Sequence, residues 1–266
     1  MKLFAALIFL FLCFSSAVDA FPLSDGRGGT IGPKLENILD QNQQWIQSQT
    51  DKDPMYFHRL GSGHSPKYMW IGCADARVPA NEVMGEDAGS VFVVRNVANM
   101  VVNTDFNLMS ALQYAVDYLK IPHIIICGHY DCGGVRASTT RKDHEPPLEN
   151  WLRNIRDVYR LHQEELDAIR DPEARHRRLV ELNVIEQALN LFKTGVVQRR
   201  RVETYMLGQE YTTPRVHACV FDPKTGYLTK LPVSYFERVD SLIGVPRWTD
   251  MSENSNHFKG ELQRIH

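Results

Sequence analysis

Cys73, Asp75 and Arg77 occupy alternate positions just beyond an apolar run, Tyr68 to Ile71, that stops at Gly72. In extended backbone, alternate side chains leave from one side, so a thiol, a carboxylate and a guanidinium would face the same space. A second stretch, Cys127-Gly128-His129-Tyr130-Asp131-Cys132-Gly133-Gly134, follows the apolar run Ile124 to Ile126. Glycines around His129 and Cys132 let the backbone turn tightly enough for both side chains to reach one ion. With Cys73 they make a Cys2His donor set. Zinc favours thiolate and imidazole, and three protein ligands with a fourth position open mark a catalytic zinc rather than a structural one. The residues alone leave other readings open: a structural site closed by Asp75, or a plain surface ion pair between Asp75 and Arg77.

The cysteine count bears on the same choice. Of five cysteines, Cys13 falls in the N-terminal apolar segment, leaving Cys73, Cys127, Cys132 and Cys219. An even number in a secreted chain is compatible with disulfides. A domain of this size needs no staples, and three of the four sit in or at the ends of apolar runs, which favours metal ligation by Cys73 and Cys132. Cys127 and Cys219, flanked by apolar residues, read as inert core thiols.

The elements that must position these groups alternate. Strands are predicted over Lys67–Cys73, Val91–Val94, His123–Cys127 and Val216–Phe221. Between them, Phe106, Met109, Leu112, Val116 and Leu119 line one helical face opened by Asp105 as N-cap. Trp151 to Leu166 reads as one charged amphipathic helix, and Leu182, Ile185, Leu189 and Phe192 as another. The fold class is α/β: about four parallel strands plus one antiparallel strand, Tyr227 to Val233, flanked by helices, with ligands beyond the carboxyl ends of the strands. An amphipathic arm helix, Lys34 to Gln49, precedes the first strand.

The domain plan is residues 1–20 as a secretory signal, 21–66 as leader and helical arm, 67–240 as the zinc-binding catalytic domain and 241–266 as a polar tail. The signal reading rests on Lys2, an apolar core from Leu3 to Phe14 and small residues up to Ala20. It implies a secreted or secretory-lumen protein, with a mitochondrial destination as the alternative. No second long apolar segment occurs, so no membrane span is expected in the mature chain. A net charge of −2 argues against a general nucleic-acid surface, and Gln198-Arg199-Arg200-Arg201 reads as a solvated helix end.

Taken together, Cys73-x-Asp75-x-Arg77 followed by His129-x-x-Cys132 resembles the β-class carbonic anhydrases. The likeness runs from about Lys34 to Val239 and includes Arg95-Asn96-Val97-Ala98-Asn99 in matching order. The resemblance implies reversible hydration of carbon dioxide to bicarbonate by a zinc-bound hydroxide. One Zn²⁺ per subunit would be held by Cys73, His129 and Cys132. Asp75 would pair with Arg77, or swing onto the metal as a fourth ligand in a closed state. It also implies a homodimer or tetramer clasped through the arm, with carbon dioxide and bicarbonate as partners. Two thiolates nearly cancel the charge of Zn²⁺, so its bound water should be less acidic than the roughly pKa 7 reached on a three-histidine zinc.

The resemblance makes Tyr114 an active-site tyrosine, although as a sequence feature it could equally be a core packer. Gly133 is expected to matter through its backbone. Trp70 and Arg95 match two residues of a bicarbonate-binding inhibitory pocket found in one subgroup of the family. The third residue there is a tyrosine, and this chain has Phe221, which offers no hydroxyl; weakened bicarbonate inhibition is expected. Two other functions fit the same residues: hydrolysis of carbon disulfide or carbonyl sulfide, and a non-catalytic zinc or redox protein.

Overall fold

The computed structural model describes residues 35–235. The expected signal, most of the leader and the polar tail lie outside the described residues. The chain divides into two compact units at Gly61/Ser62. In the first, α1 (Leu35–Lys52) and α2 (Tyr56–Gly61) form a helical pair in which the Trp45 ring meets Tyr56 and Phe57 edge-on, at 6.3 and 5.4 Å. Helix α1 buries none of its residues, and the predicted stripe of Leu35, Ile38, Leu39, Trp45 and Ile46 is exposed.

In the second unit the elements run β1 (Tyr68–Cys73), α3 (Ala80–Met84), β2 (Val91–Asn96), α4 (Phe106–Gln113), a π-helical turn (Tyr114–Tyr118), β3 (His123–His129) and α5 (Gly133–Ser138). Then come α6 (Leu148–Leu161), α7 (Gln163–Ala168), α8 (Pro172–Phe192), α9 (Gly195–Met206), β4 (Arg215–Phe221) and β5 (Leu228–Lys230). The sheet order is β2-β1-β3-β4-β5, with every pairing parallel except the last. This is the predicted architecture. No helix among the described residues is long and apolar enough to cross a membrane.

Strand alternation sorts the core into two layers. Met69, Ile71, Ile124, Ile126, Ala218 and Val220 pack against α4, α6 and α8, while Trp70, Ile125, Cys127, Cys219 and Phe221 face the other side. Helix α4 starts where predicted because the Asp105 carboxylate accepts from the backbone N–H of Asn107 and Leu108, a cap worth about 1 kcal/mol.

Two expectations change. The helix read over Trp151 to Leu166 is two, broken at His162, whose backbone leaves the helical region while Nε2 pairs with Glu186 at 2.9 Å. The basic run ending at Arg201 is mid-helix in α9 and is not a solvated end. Arg201 donates to the carbonyls of Thr212 and Pro214 at 3.3 and 3.1 Å, and its guanidinium lies 5.0 Å from the Phe192 ring centre. The helix period turns part of the run inward: Arg201 reaches those carbonyls, the Arg200 side chain is 13% exposed and pairs with Glu203, and Arg199 stays exposed.

At the amino ends of β3 and β4, His123 Nδ1 and His217 Nε2 lie 3.1 Å apart. Burial, followed by the charges of His123, Lys230 and Arg215, pushes His217 down to about 4. The folded state therefore prefers the neutral ring. Its contribution is complete above the unfolded value near 6.5 and is lost as pH falls towards 4. Between pH 7 and 5 the protein should lose about 1–2 kcal/mol through this ring, after allowance for solvent screening of a half-buried group. Denaturant titrations at the two pH values should show that loss in the native chain and a flatter dependence in His217→Gln; equal slopes would rule the ring out.

Candidate metal centre

Three elements deliver the donors. Cys73 is the last residue of β1, His129 the last of β3, and Cys132 caps α5 three residues on. Because β1 and β3 are adjacent and parallel, both strand ends open at the same edge. One ligand atom from each residue lies within 4.8 Å of the others, and all three side chains are buried. The two sulfurs are 3.9 Å apart. That is too long for the roughly 2.05 Å of a disulfide. It matches the about 3.8 Å expected between two ligands of a tetrahedral zinc with bonds near 2.3 Å. All four cysteines of the described residues are free thiols.

His129 supplies the sharpest test of fit. Its Nδ1 lies 3.0 Å from the Tyr130 carbonyl, so the ring proton sits there and is donated to that oxygen. The remaining lone pair is on Nε2, which is fully buried and has no hydrogen-bond partner among the described residues. An orphaned imidazole nitrogen facing two thiols is a poor arrangement for protein alone and a good one for a soft divalent cation. The thiols agree: the contact between the two sulfurs holds the Cys73 thiol well below the ordinary thiol range and pushes Cys132 up. Thiols ligate a metal as thiolates, so a bound cation would displace their protons.

The thiolate has a further partner that spacing did not reveal. The backbone N–H of Ala98 points at Cys73 Sγ from 3.4 Å. Ala98 adopts φ +63, in the left-handed region, and Asn183 on α8 holds its carbonyl at 3.0 Å. A Cβ on Gly134 would come within 2.6 Å of Val97 and 3.4 Å of Ala98. Close packing on this turn therefore falls on Gly134; a Cβ on Gly133 would meet nothing within 4 Å.

Asp75 and Arg77 stand beside the triad, but not by extension of the strand. Asp75 Oδ1 accepts from the Arg77 backbone N–H at 2.9 Å, closing an Asx-turn. The guanidinium then grips the carboxylate at both oxygens, Nε to Oδ1 at 3.0 Å and Nη2 to Oδ2 at 2.8 Å. These bonds hold the Asp75 carboxyl well below its usual range. Its Oδ2 lies 3.7 Å from His129 Nε2. Arg77 also reaches Asp131, which pairs with Arg136 at 3.1 Å, and Arg136 in turn grips Glu173.

The remaining expected residues are scattered. Tyr114 opens the π-helical turn, half exposed, with Tyr118 and Phe92 at 5.6 and 6.0 Å between ring centres. It is not a core residue, and no described hydrogen bond or ring contact joins it to the triad. Trp70 and Phe221 share the second core layer, where the buried Trp70 indole N–H has no partner among the described residues. Arg95, registered against Gly72, belongs to the same sheet face by alternation. Its guanidinium is committed to the carbonyls of Cys73 and Asp75.

Comparisons with known proteins agree on one family. Residues 68–228 match the family described as carbonic anhydrase. The chain is 50% identical over 200 residues to a carbonic anhydrase of Emericella nidulans, covering 75% of this chain and 84% of the relative. Among solved structures, it is similar to one of two tetrameric β-carbonic anhydrases of Sordaria macrospora, at 34% identity and TM-score 0.69, covering 74% of this chain and 96% of that one. A Coccomyxa β-carbonic anhydrase in complex with acetazolamide gives 32% identity and TM-score 0.69, over 86% and 99% of the two chains.

Proposed function

Because the chain belongs to the β-class carbonic anhydrase family, we propose that Cys73, His129 and Cys132 hold its zinc and that Asp75 and Arg77 direct the reversible hydration of carbon dioxide to bicarbonate. The observation that carries this reading is the orphaned His129 Nε2, facing two thiols whose spacing suits a tetrahedral cation.

Bound there, zinc supplies a Lewis acid that lowers the pKa of water at the fourth position. The chain supplies the rest. Asp75, gripped at both oxygens, accepts a hydrogen bond from the attacking oxygen and keeps its lone pair aimed at carbon dioxide. Arg77 holds Asp75 off the triad, so that water can enter. Tyr130, through its carbonyl, keeps the His129 proton on Nδ1 and Nε2 free to ligate. The test is zinc stoichiometry together with carbon dioxide hydration rate on the purified protein. One zinc per chain and a rate rising towards alkaline pH are expected. A metal-free active protein, or an acid optimum, would contradict it.

The inhibitory bicarbonate subsite carries its own prediction. Trp70 offers a free indole N–H, but Arg95 is engaged by backbone carbonyls and Phe221 has no hydroxyl to donate. Bicarbonate should inhibit the native protein weakly, and Phe221→Tyr should strengthen inhibition several-fold, since one added hydrogen bond is worth about 1 kcal/mol. Titrating bicarbonate against initial rate in both proteins checks this; strong and equal inhibition would refute it.

The exposed apolar stripe of α1 supports assembly through the arm, as a dimer or tetramer. We propose likewise that residues 1–20 are a secretory signal; N-terminal sequencing of the mature protein should begin at Phe21.

A further inference from the structure

Tyr130 lies between two metal ligands and is fixed at four points. Its backbone N–H donates to the Phe221 carbonyl at 2.9 Å, and its carbonyl accepts the His129 Nδ1 proton at 3.0 Å. Its hydroxyl donates to Glu181 Oε1 at 2.7 Å. The Arg177 guanidinium covers its ring, 3.5 Å from the centroid. Both of the last partners come from α8, one turn apart on the same helix face.

Each partner is itself restrained. Arg177 Nη2 donates to Asp222 Oδ2 at 3.5 Å, tying the ring cover to the end of β4. Glu181 Oε2 accepts from Arg178 Nη1 at 2.8 Å, and Arg178 Nε donates to Glu165 at 2.5 Å. The hydroxyl bond and the ring cover therefore connect the loop to α8, which also packs under Gly128 through Val184 and Val180.

We propose that Tyr130 is a positioning residue: clamped between Glu181 and Arg177, it fixes the carbonyl that orients His129 and thereby sets how long zinc stays bound. The physical basis is leverage. The next residue, Asp131, adopts φ +57, so the loop turns sharply, and the other ties between His129 and Cys132 are the solvent-exposed contacts of Asp131 with Arg77 and Arg136, which hold a loop weakly. A loop free to rotate the Tyr130 carbonyl away would let the imidazole swing and its proton move between nitrogens. Partners that orient a ligating histidine commonly carry 10–100-fold in metal affinity. Here the clamp makes that partner a rigid one.

The inference rests on the zinc reading of the triad, and the test keeps the two apart. Zinc transfer to a chromophoric chelator is timed for the native protein, Tyr130→Phe, Tyr130→Ala and Glu181→Leu, with melting of each metal-free form. Cobalt(II)-substituted samples report ligand geometry through visible absorption. Tyr130→Ala should release zinc about 10-fold faster or more, with altered cobalt bands. Tyr130→Phe and Glu181→Leu, which keep a ring beneath Arg177, should release it a few-fold faster. If Tyr130→Ala does not fold, those two variants decide the matter. Native release rates and cobalt bands in the folded variants would overturn the clamp, even if their melting temperatures fall. A native protein that binds no zinc would instead overturn the assignment of the triad.

Discussion

His129→Ala and Cys73→Ser should each lose zinc and carbon dioxide hydration together. Zinc content is expected to fall from one per chain to below about 0.1, and the rate by on the order of 10³-fold or more, since the activated water depends on the metal. The geometry explains why neither neighbour can substitute. The donors come from the ends of β1 and β3 and the start of α5, and the buried site leaves no slack for a longer reach. His129→Ala also empties the space of a fully buried side chain, so its metal-free stability should be measured beside the native metal-free protein. Metal analysis by mass spectrometry and a stopped-flow hydration assay check both variants. Full zinc occupancy in either would show that the ligand set is wrong.

The second large effect concerns the ion pair. Asp75→Asn keeps the shape of the carboxylate and removes its charge; hydration should fall by about 10²–10³-fold while zinc remains bound, in the range expected for losing a positioned proton acceptor. Arg77→Ala should do comparable damage by a different route, releasing a carboxylate 3.7 Å from the His129 nitrogen to occupy the water position. Arg77→Lys should rescue little, because an ammonium cannot span Oδ1 and Oδ2 as the guanidinium fork does. The depressed carboxyl of Asp75 stays ionised well below neutrality, so the rise of rate with pH does not come from its titration while Arg77 holds it. Its contribution to stability, present above the ordinary carboxylate value near 3.9, disappears only as pH falls through the lowered one. Retained activity in Asp75→Asn would remove the carboxylate from the reaction.

Both predictions start from residues whose roles the sequence could announce. Cys73, Asp75, Arg77, His129 and Cys132 are legible because their types are chemically potent and their spacings short. Strands β1, β3 and β4 were legible because each is a largely apolar run stopped by a glycine or an aspartate, and β2 because Val91 to Val94 is apolar throughout. Helix α4 was readable from its cap and stripe. The break at His162 was not, since Trp151 to Leu166 keeps one helical period across it. Nor was the inward turn of Arg201, whose partners are backbone carbonyls that carry no mark in a sequence.

By itself, then, the sequence determined the candidate donor set, the alternating architecture and the family, because these follow from residue type, local period and short spacing. Only the tertiary structure decided which N–H would meet the Cys73 sulfur, that Asp75 would fold into an Asx-turn, and that Tyr130 would lie between Glu181 and Arg177. Those partners are 25 to 51 residues apart or made of backbone atoms. Contacts of that kind arise when strands pair and α8 packs against them, and no local pattern along the chain encodes where two distant surfaces will touch.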